Sequence, residues 1–183
     1  MDNEFENKIS ELRSKIMSFP DFPKKGILFW DIFSAVADGR TCKLLQSLLV
    51  DYTKKNFPDV EAIVGLESRG FLFSFSIAAE LGVSCLPVRK KGKLPGDVLS
   101  YAYELEYGSD ILEIQRNHIR PGMRCVIVDD LIATGGSLNA AIHLLKSCGA
   151  DVIGCFVIIE LPSLKGRSKI PNGIPVHSLM KLD

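Results

Sequence analysis

The stretch Asp129-Asp130-Leu131-Ile132-Ala133-Thr134-Gly135-Gly136-Ser137 carries the densest chemistry in the chain. An apolar run, Cys125-Val126-Ile127-Val128, ends in two adjacent carboxylates. A loop of small residues and hydroxyls follows, and a helical pattern begins at 137. A helix start offers unpaired backbone N–H groups and the positive end of a dipole, which suits a phosphate. Gly135 and Gly136 let the backbone approach an anion closely, and Thr134 and Ser137 add hydroxyl donors. Asp129 and Asp130 would repel that phosphate; they suit sugar hydroxyls or a divalent cation. A ribose 5-phosphate with free 2- and 3-hydroxyls satisfies both halves at once. Neither a Walker A loop nor Gly-x-Gly-x-x-Gly is present. A capped turn with surface aspartates does not account for two adjacent acids ahead of the run 134–137. Using the aspartates as the metal pair of a phosphatase leaves that run without a purpose.

Two further groups have anion chemistry. Glu67-Ser68-Arg69-Gly70 ends an apolar run and precedes a helical pattern, so it too offers backbone N–H groups. Arg89, Lys90, Lys91 and Lys93 form the strongest basic cluster. Lys plus Arg and Asp plus Glu are both 22, for a formal net charge of zero. An anionic substrate is therefore held by local donors and not by a global field. A general nucleic-acid binder is disfavoured. His118, His143 and His177 show no metal-ligand spacing.

The elements that must position these groups follow from periodicity. Phe5, Ile9, Leu12 and Ile16 share one face of a first helix. The segment 19–26, with two prolines and a glycine, predicts a loop. Asp38 caps a helix over 40–56. Strands are expected over 60–66, 83–88, 124–128 and 152–159. Helices are expected over 70–81, fully apolar and hence buried, and over 137–148, with Gly82 and Gly149 as stops. Alternating strands and helices with continuous apolar strands predict an α/β fold, a mostly parallel sheet flanked by helices. In such sheets ligands bind beyond the carboxyl ends of the strands. Between 89 and 121 the alternation breaks. Tyr101, Tyr103, Leu105 and Tyr107 alternate with Ala102, Glu104 and Glu106, and a hairpin signal follows at Gly108-Ser109-Asp110. This predicts an inserted antiparallel flap.

The 183 residues are 46% hydrophobic and 24% charged, which favours one globular domain over 1–183. The first ten residues are too charged for a secretory signal, and no run approaches the length needed to span a bilayer. Five cysteines without a Cys-x-x-Cys pair predict buried free thiols and a cytoplasmic setting.

The run 126–137 resembles the phosphoribosyl pyrophosphate signature of the type I phosphoribosyltransferases. Further likeness to the branch acting on adenine covers nearly the whole chain. It includes 19–23 through Asp31, 67–71, 89–96, 105–108 and Ser163-Leu164-Lys165-Gly166-Arg167. The resemblance implies the family's fold, with a base-binding hood segment over 1–35 and a flexible β flap over 94–116. The implied reaction transfers 5-phosphoribosyl from phosphoribosyl pyrophosphate to adenine, giving AMP and pyrophosphate. Mg²⁺ would be held mainly through substrate, with no metal ligand in the protein directly certain. A homodimer is also implied, with no nucleic-acid or membrane partner.

The resemblance also distributes roles. Ala133, Thr134, Gly135, Gly136 and Ser137 would bind the 5-phosphate, and Asp129 and Asp130 the ribose hydroxyls. Ser137 replaces the family's usual threonine and keeps the hydroxyl. Glu67, Ser68 and Arg69 would form the pyrophosphate loop, with a cis peptide at Glu67–Ser68. Arg89 and Lys93 would clamp the leaving pyrophosphate, Lys93 in a neighbouring subunit's site. The Leu28 carbonyl would accept from the 6-amino group, the Trp30 N–H would donate to N1, Phe29 would stack on the base, and Leu161 would wall it. Trp30 departs from the charged residue common in relatives. Glu106 would shuttle a proton near N7, Arg69 would assist, and Tyr107 would cover the closed site. Two alternatives remain at this level: a transferase for a 6-oxo purine, which the Leu28 carbonyl disfavours, and a non-catalytic phosphoribosyl pyrophosphate-binding regulator.

Overall fold

The computed structural model describes residues 3–104 and 109–183, and it divides the chain into two compact units, Met1–Tyr52 and Thr53–Asp183.

In the first unit, α1 (Asn3–Arg13) carries Glu4 and Glu6 in its first turn and Arg13 in its last, which complements the helix dipole. Strands β1 (Met17–Pro20) and β2 (Leu28–Asp31) pair antiparallel, with Phe19 opposite Phe29 and Pro20 opposite Leu28. The expected loop over 19–26 is thus shorter: Phe19 and Pro20 end a strand. Proline is tolerated there because a two-stranded ribbon has an edge on which no N–H is needed. Asp31 closes β2 and caps α2 (Ile32–Val36), accepting from the Phe33 N–H at 3.0 Å. Asp38 starts α3 (Gly39–Asn56) as expected, accepting from the Thr41 N–H at 2.8 Å and hydroxyl at 2.6 Å. Leu12, Ile32, Ala35, Leu45, Leu48 and Leu49 are buried.

The second unit is mixed α/β. Its elements in chain order are β3 (Ala62–Leu66), α4 (Gly70–Leu81), β4 (Ser84–Lys90), β5 (Val98–Glu104), β6 (Ser109–Gln115), β7 (Arg124–Ile132), α5 (Gly136–Ser147), β8 (Asp151–Glu160) and β9 (Val176–Lys181). Seven strands form one sheet in the order β5-β6-β4-β3-β7-β8-β9. The pairs among β4, β3, β7, β8 and β9 are parallel, and the β5–β6 hairpin joins the end of β4 antiparallel. Val64 and Ile127 sit at the centre, fully buried, because strands covered on both faces have no solvent side. In this hairpin Val98 pairs with Gln115 and Glu104 with Ser109.

Four details differ from the sequence reading. Strand β7 continues to Ile132, so Asp129 and Asp130 lie within it; Leu131 and Ile132 still find partners in Ile159 and Glu160. Helix α4 is not wholly buried: Leu72 is 54% and Phe75 67% exposed on one face. Of the thiols, Cys125 and Cys155 are buried, but Cys42 and Cys85 are exposed. His177 lies in β9, edge-on to Phe57 with ring centres 5.0 Å apart; its polar neighbour Ser178 hides the strand from a hydropathy reading. Among the described residues, no helix is long and apolar enough to cross a membrane.

Candidate active site

Strands β3 and β7 are parallel neighbours, with Gly65 opposite Val128, so the loops leaving their carboxyl ends lie side by side. After β3 the loop 67–69 turns into α4, and its Glu67–Ser68 peptide is cis. A Cβ at Gly70 would stand 2.7 Å from the Val128 carbonyl oxygen and 3.1 Å from Asp129 Oδ1. Only glycine lets α4 begin that close to the acidic end of β7. The next link is electrostatic: Arg69 Nε lies 2.7 Å from Asp130 Oδ2. Arg69, Asp129 and Asp130 therefore belong to one cluster.

Within that cluster the two carboxylates differ. Asp130 is buried and faces the guanidinium. Asp129 Oδ1 accepts from the Asp130 N–H at 2.9 Å. Burial, and then the adjacent Asp130 charge, push the Asp129 carboxyl well above the usual carboxylate range. Arg69 pairs with Asp130, and its charge acts on Asp129 only after burial and the Asp130 charge.

At the other loop the balance is reversed. Glu67 accepts from Lys93 Nζ at 2.6 Å, from the Lys90 N–H at 3.0 Å, and from Arg89 Nε and Nη2 at 3.2 and 3.4 Å. Desolvation acts to raise the Glu67 carboxyl; the bonds from Lys93, Lys90 and Arg89 outweigh it and hold it at about 2. Arg89 also donates to the Lys93 carbonyl at 3.2 Å, and its guanidinium stands 5.9 Å from the Phe71 ring centre. Glu67, Arg89 and Lys93 are thus together, with Glu67 supplying the anion that the cations surround.

The loop 133–135 leads into α5. Gly135 sits at φ 79° and ψ 0°, and among the described residues no side chain caps the helix start. The first N–H groups of such a helix start suit an anion. The Tyr103 hydroxyl, from β5, lies 3.4 Å from Ser137 Oγ. Glu113 is a buried residue that sequence reasoning passed over. It accepts from the Gly92 N–H and the Ser100 hydroxyl, each at 2.9 Å, and so ties the β5–β6 hairpin to the basic loop. Only an isolated acid in an apolar strand pattern hints at it. Glu106 and Tyr107 lie outside the described residues.

In the first unit, Phe19, Pro20, Phe22, Phe29 and Phe33, with Asp21 and Asp31, line a cleft of about 620 Å³. Phe22 meets Phe29 edge-on, ring centres 5.1 Å apart. Leu28 is exposed and Trp30 half-buried on the adjoining strand. Flat apolar rings around a cleft suit a heteroaromatic base. Leu161, in the second unit, donates its N–H to the Ile132 carbonyl at 3.0 Å.

Comparison with known proteins adds identity to this geometry. A phosphoribosyl transferase domain is matched over residues 40–172. An adenine phosphoribosyltransferase of Drosophila pseudoobscura pseudoobscura is 53% identical over 176 residues, covering 96% of each chain. One from Rhodospirillum centenum is 48% identical over 94% of this chain and 99% of its own. Among solved structures, the adenine phosphoribosyltransferase of Saccharomyces cerevisiae, complexed with D-2,5-dideoxy-2,5-imino-altritol 1,6-bisphosphate and adenine, superposes with a TM-score of 0.91. It is 42% identical, covering 96% of this chain and 99% of its own.

Proposed function

From the premise that this chain belongs to the phosphoribosyl transferase family, we propose that it transfers a 5-phosphoribosyl group from phosphoribosyl pyrophosphate to adenine, yielding AMP and pyrophosphate. It is a pentosyltransferase of purine salvage. The observation that carries this is the end of β7. Two carboxylates suited to ribose hydroxyls stand in its last residues, and the loop 133–135 leads from it to a glycine-led helix start suited to a phosphate, in a chain alike over 96% of its length to an enzyme named for adenine.

The residues divide the work by charge. Residues 133–137 bind the 5-phosphate through backbone N–H groups and the hydroxyls of Thr134 and Ser137. Asp129 and Asp130 accept from the ribose hydroxyls. The backbone of Ser68 and Arg69, with the side chains of Arg69, Arg89 and Lys93, meets the pyrophosphate. As the bond from ribose C1 to the pyrophosphate oxygen breaks, negative charge grows on the leaving group, and preorganised donors stabilise it. Leu28, Phe29 and Trp30 hold adenine, with the Leu28 carbonyl favouring a 6-amino over a 6-oxo base, and Leu161 is an apolar contact for it. Glu106 takes up and returns a proton as the base reacts through N9, and Tyr107 covers the closed site, which excludes water.

Mg²⁺ suits the acidic stretch of β7, where Asp130 faces Arg69 and Asp129 accepts from the Asp130 N–H. Among the described residues no three metal-ligating side chains cluster, and the ion would be held mainly through substrate oxygens, beside Asp129 and Asp130. Bound there, it would supply positive charge against the pyrophosphate. The remaining parts of the proposal are a cytoplasmic setting, a hood over 1–35, a flap over 94–116, and a homodimer. The exposed Leu72 and Phe75 on α4 support the last. The test supplies phosphoribosyl pyrophosphate and Mg²⁺ with adenine, hypoxanthine, guanine or orotate and follows pyrophosphate release. AMP from adenine alone is expected. Binding of phosphoribosyl pyrophosphate without product from any base would point instead to a regulator.

A further inference from the structure

The segment 162–169 has no part in the chemistry above, yet it touches the phosphate loop backbone to backbone. Strand β8 ends at Glu160, which pairs with Ile132 of β7 on one side and Lys181 of β9 on the other. The chain then folds back in two short 3-10 turns, Pro162–Leu164 and Gly166–Lys169, joined at Lys165, whose φ of 51° makes the reversal.

That reversal brings Gly166 onto the loop. A Cβ at Gly166 would lie 3.0 Å from the Gly135 nitrogen, 2.8 Å from Ile132 Cγ1, and closer still to the Ala133 carbonyl oxygen. The contact is reciprocal, since a Cβ at Gly135 would run into the Gly166 carbonyl. Gly166 is not in the left-handed region, so space and not backbone conformation demands glycine here. Its neighbour Arg167 is the anchor. Arg167 Nε and Nη2 reach the two Glu160 oxygens at 2.6 and 2.7 Å, and Nη1 donates to the Val176 carbonyl. Glu160 is 6% exposed and also accepts from the Ser178 hydroxyl at 2.9 Å. A two-pronged pair of this kind fixes orientation as well as distance.

A loop with two consecutive glycines does not hold its own shape, because glycine has the most backbone freedom to lose. Its N–H groups must nevertheless be aimed before the anion arrives. We propose that Glu160 and Arg167 are positioning residues. They clamp the turn at Gly166 against residues 133–135 and so preorganise the phosphate loop from the side opposite its ligand. The clamp selects for the phosphate end of the substrate. It rests on the assignment of residues 133–137 to the 5-phosphate.

The test titrates ribose 5-phosphate and inorganic pyrophosphate separately into the full chain, comparing wild type with Gly166→Ala, Arg167→Lys and Thr134→Val. Gly166→Ala is expected to weaken ribose 5-phosphate by about 10²-fold, the scale of a small misplacement of a positioned group. Arg167→Lys keeps the charge, loses the fork, and is expected to weaken it about tenfold. It stands in if Gly166→Ala does not fold. Pyrophosphate binding should stay at the wild-type level in both, which a general loss of stability would not allow. Equal weakening of both ligands, or no weakening of either, overturns the clamp. If Thr134→Val alone weakens ribose 5-phosphate, the loop assignment stands and the clamp fails. If Thr134→Val leaves it unchanged, the loop assignment itself fails and the clamp with it.

Discussion

The chain leaves β3 and β7 by the same local route, from a buried strand through a short loop to a helix start, yet the two exits have opposite electrostatics. After β3, one carboxylate, Glu67, is surrounded by Arg89, Lys93 and the Lys90 N–H, and its carboxyl is held at about 2. Within β7, Asp130 pairs with Arg69, and burial with the Asp130 charge pushes the neighbouring Asp129 the other way. Both helices begin at a glycine, Gly70 and Gly136, behind Arg69 in the right-handed and Gly135 in the left-handed region. What differs is the next strand. β4 carries a basic turn to Glu67, while on the other side β8 continues into a segment that presses glycine on glycine. A strand–loop–helix is a general anion site; its neighbours in the sheet decide which anion and which counter-charge it takes.

Three perturbations test this contrast. The largest effect is expected from Arg69→Ala, which removes the ion pair tying the two exits together. Steady-state turnover with adenine should fall by about 10²–10³, the usual loss when a preorganised donor to developing charge is deleted. Turnover near wild type would mean the exits act independently. Next is Arg89→Met, which weakens only the basic side. The KM for phosphoribosyl pyrophosphate should rise about tenfold, the value of roughly one charge-assisted hydrogen bond, while ribose 5-phosphate binding is unchanged. A change in both would place Arg89 outside the pyrophosphate half.

The smallest effect concerns acid stability. The Glu67 carboxyl is depressed in the folded chain from the ordinary 4.5 to about 2. Its contribution is present above pH 4.5 and is lost as pH falls toward about 2. Thermal melts of Glu67→Gln across that window should therefore fall less steeply with acid than those of wild type. Parallel slopes would show that the cations around Glu67 do not hold its proton off.

Much of this was legible along the chain. Residues 125–137 announce a strand, a turn and a helix because apolar periodicity, paired glycines and small hydroxyls act over a few neighbours. For the same reason Asp38 is readable as a cap and Gly82 as a stop. Two strand limits were misjudged where polar residues sit inside a ladder. The expected strand stops at 128, whereas β7 holds Asp129 and Asp130, and none of the expected strands covers β9, where His177 lies. The exposed face of α4 was hidden because an all-apolar helix shows no polar side in its sequence.

The sequence by itself determined the class of fold, the anion-binding turns and the kinds of side chain available to them, since those depend on local propensity and composition. Tertiary structure alone decided the partnerships: Lys93 with Glu67 across 26 residues, Arg69 with Asp130, and Gly166 against Gly135. These pairings follow from strand order, which places β3 between β4 and β7 and returns the chain after β8 to the phosphate loop. Strand order is set by burial summed over the whole sheet, so no single segment carries it.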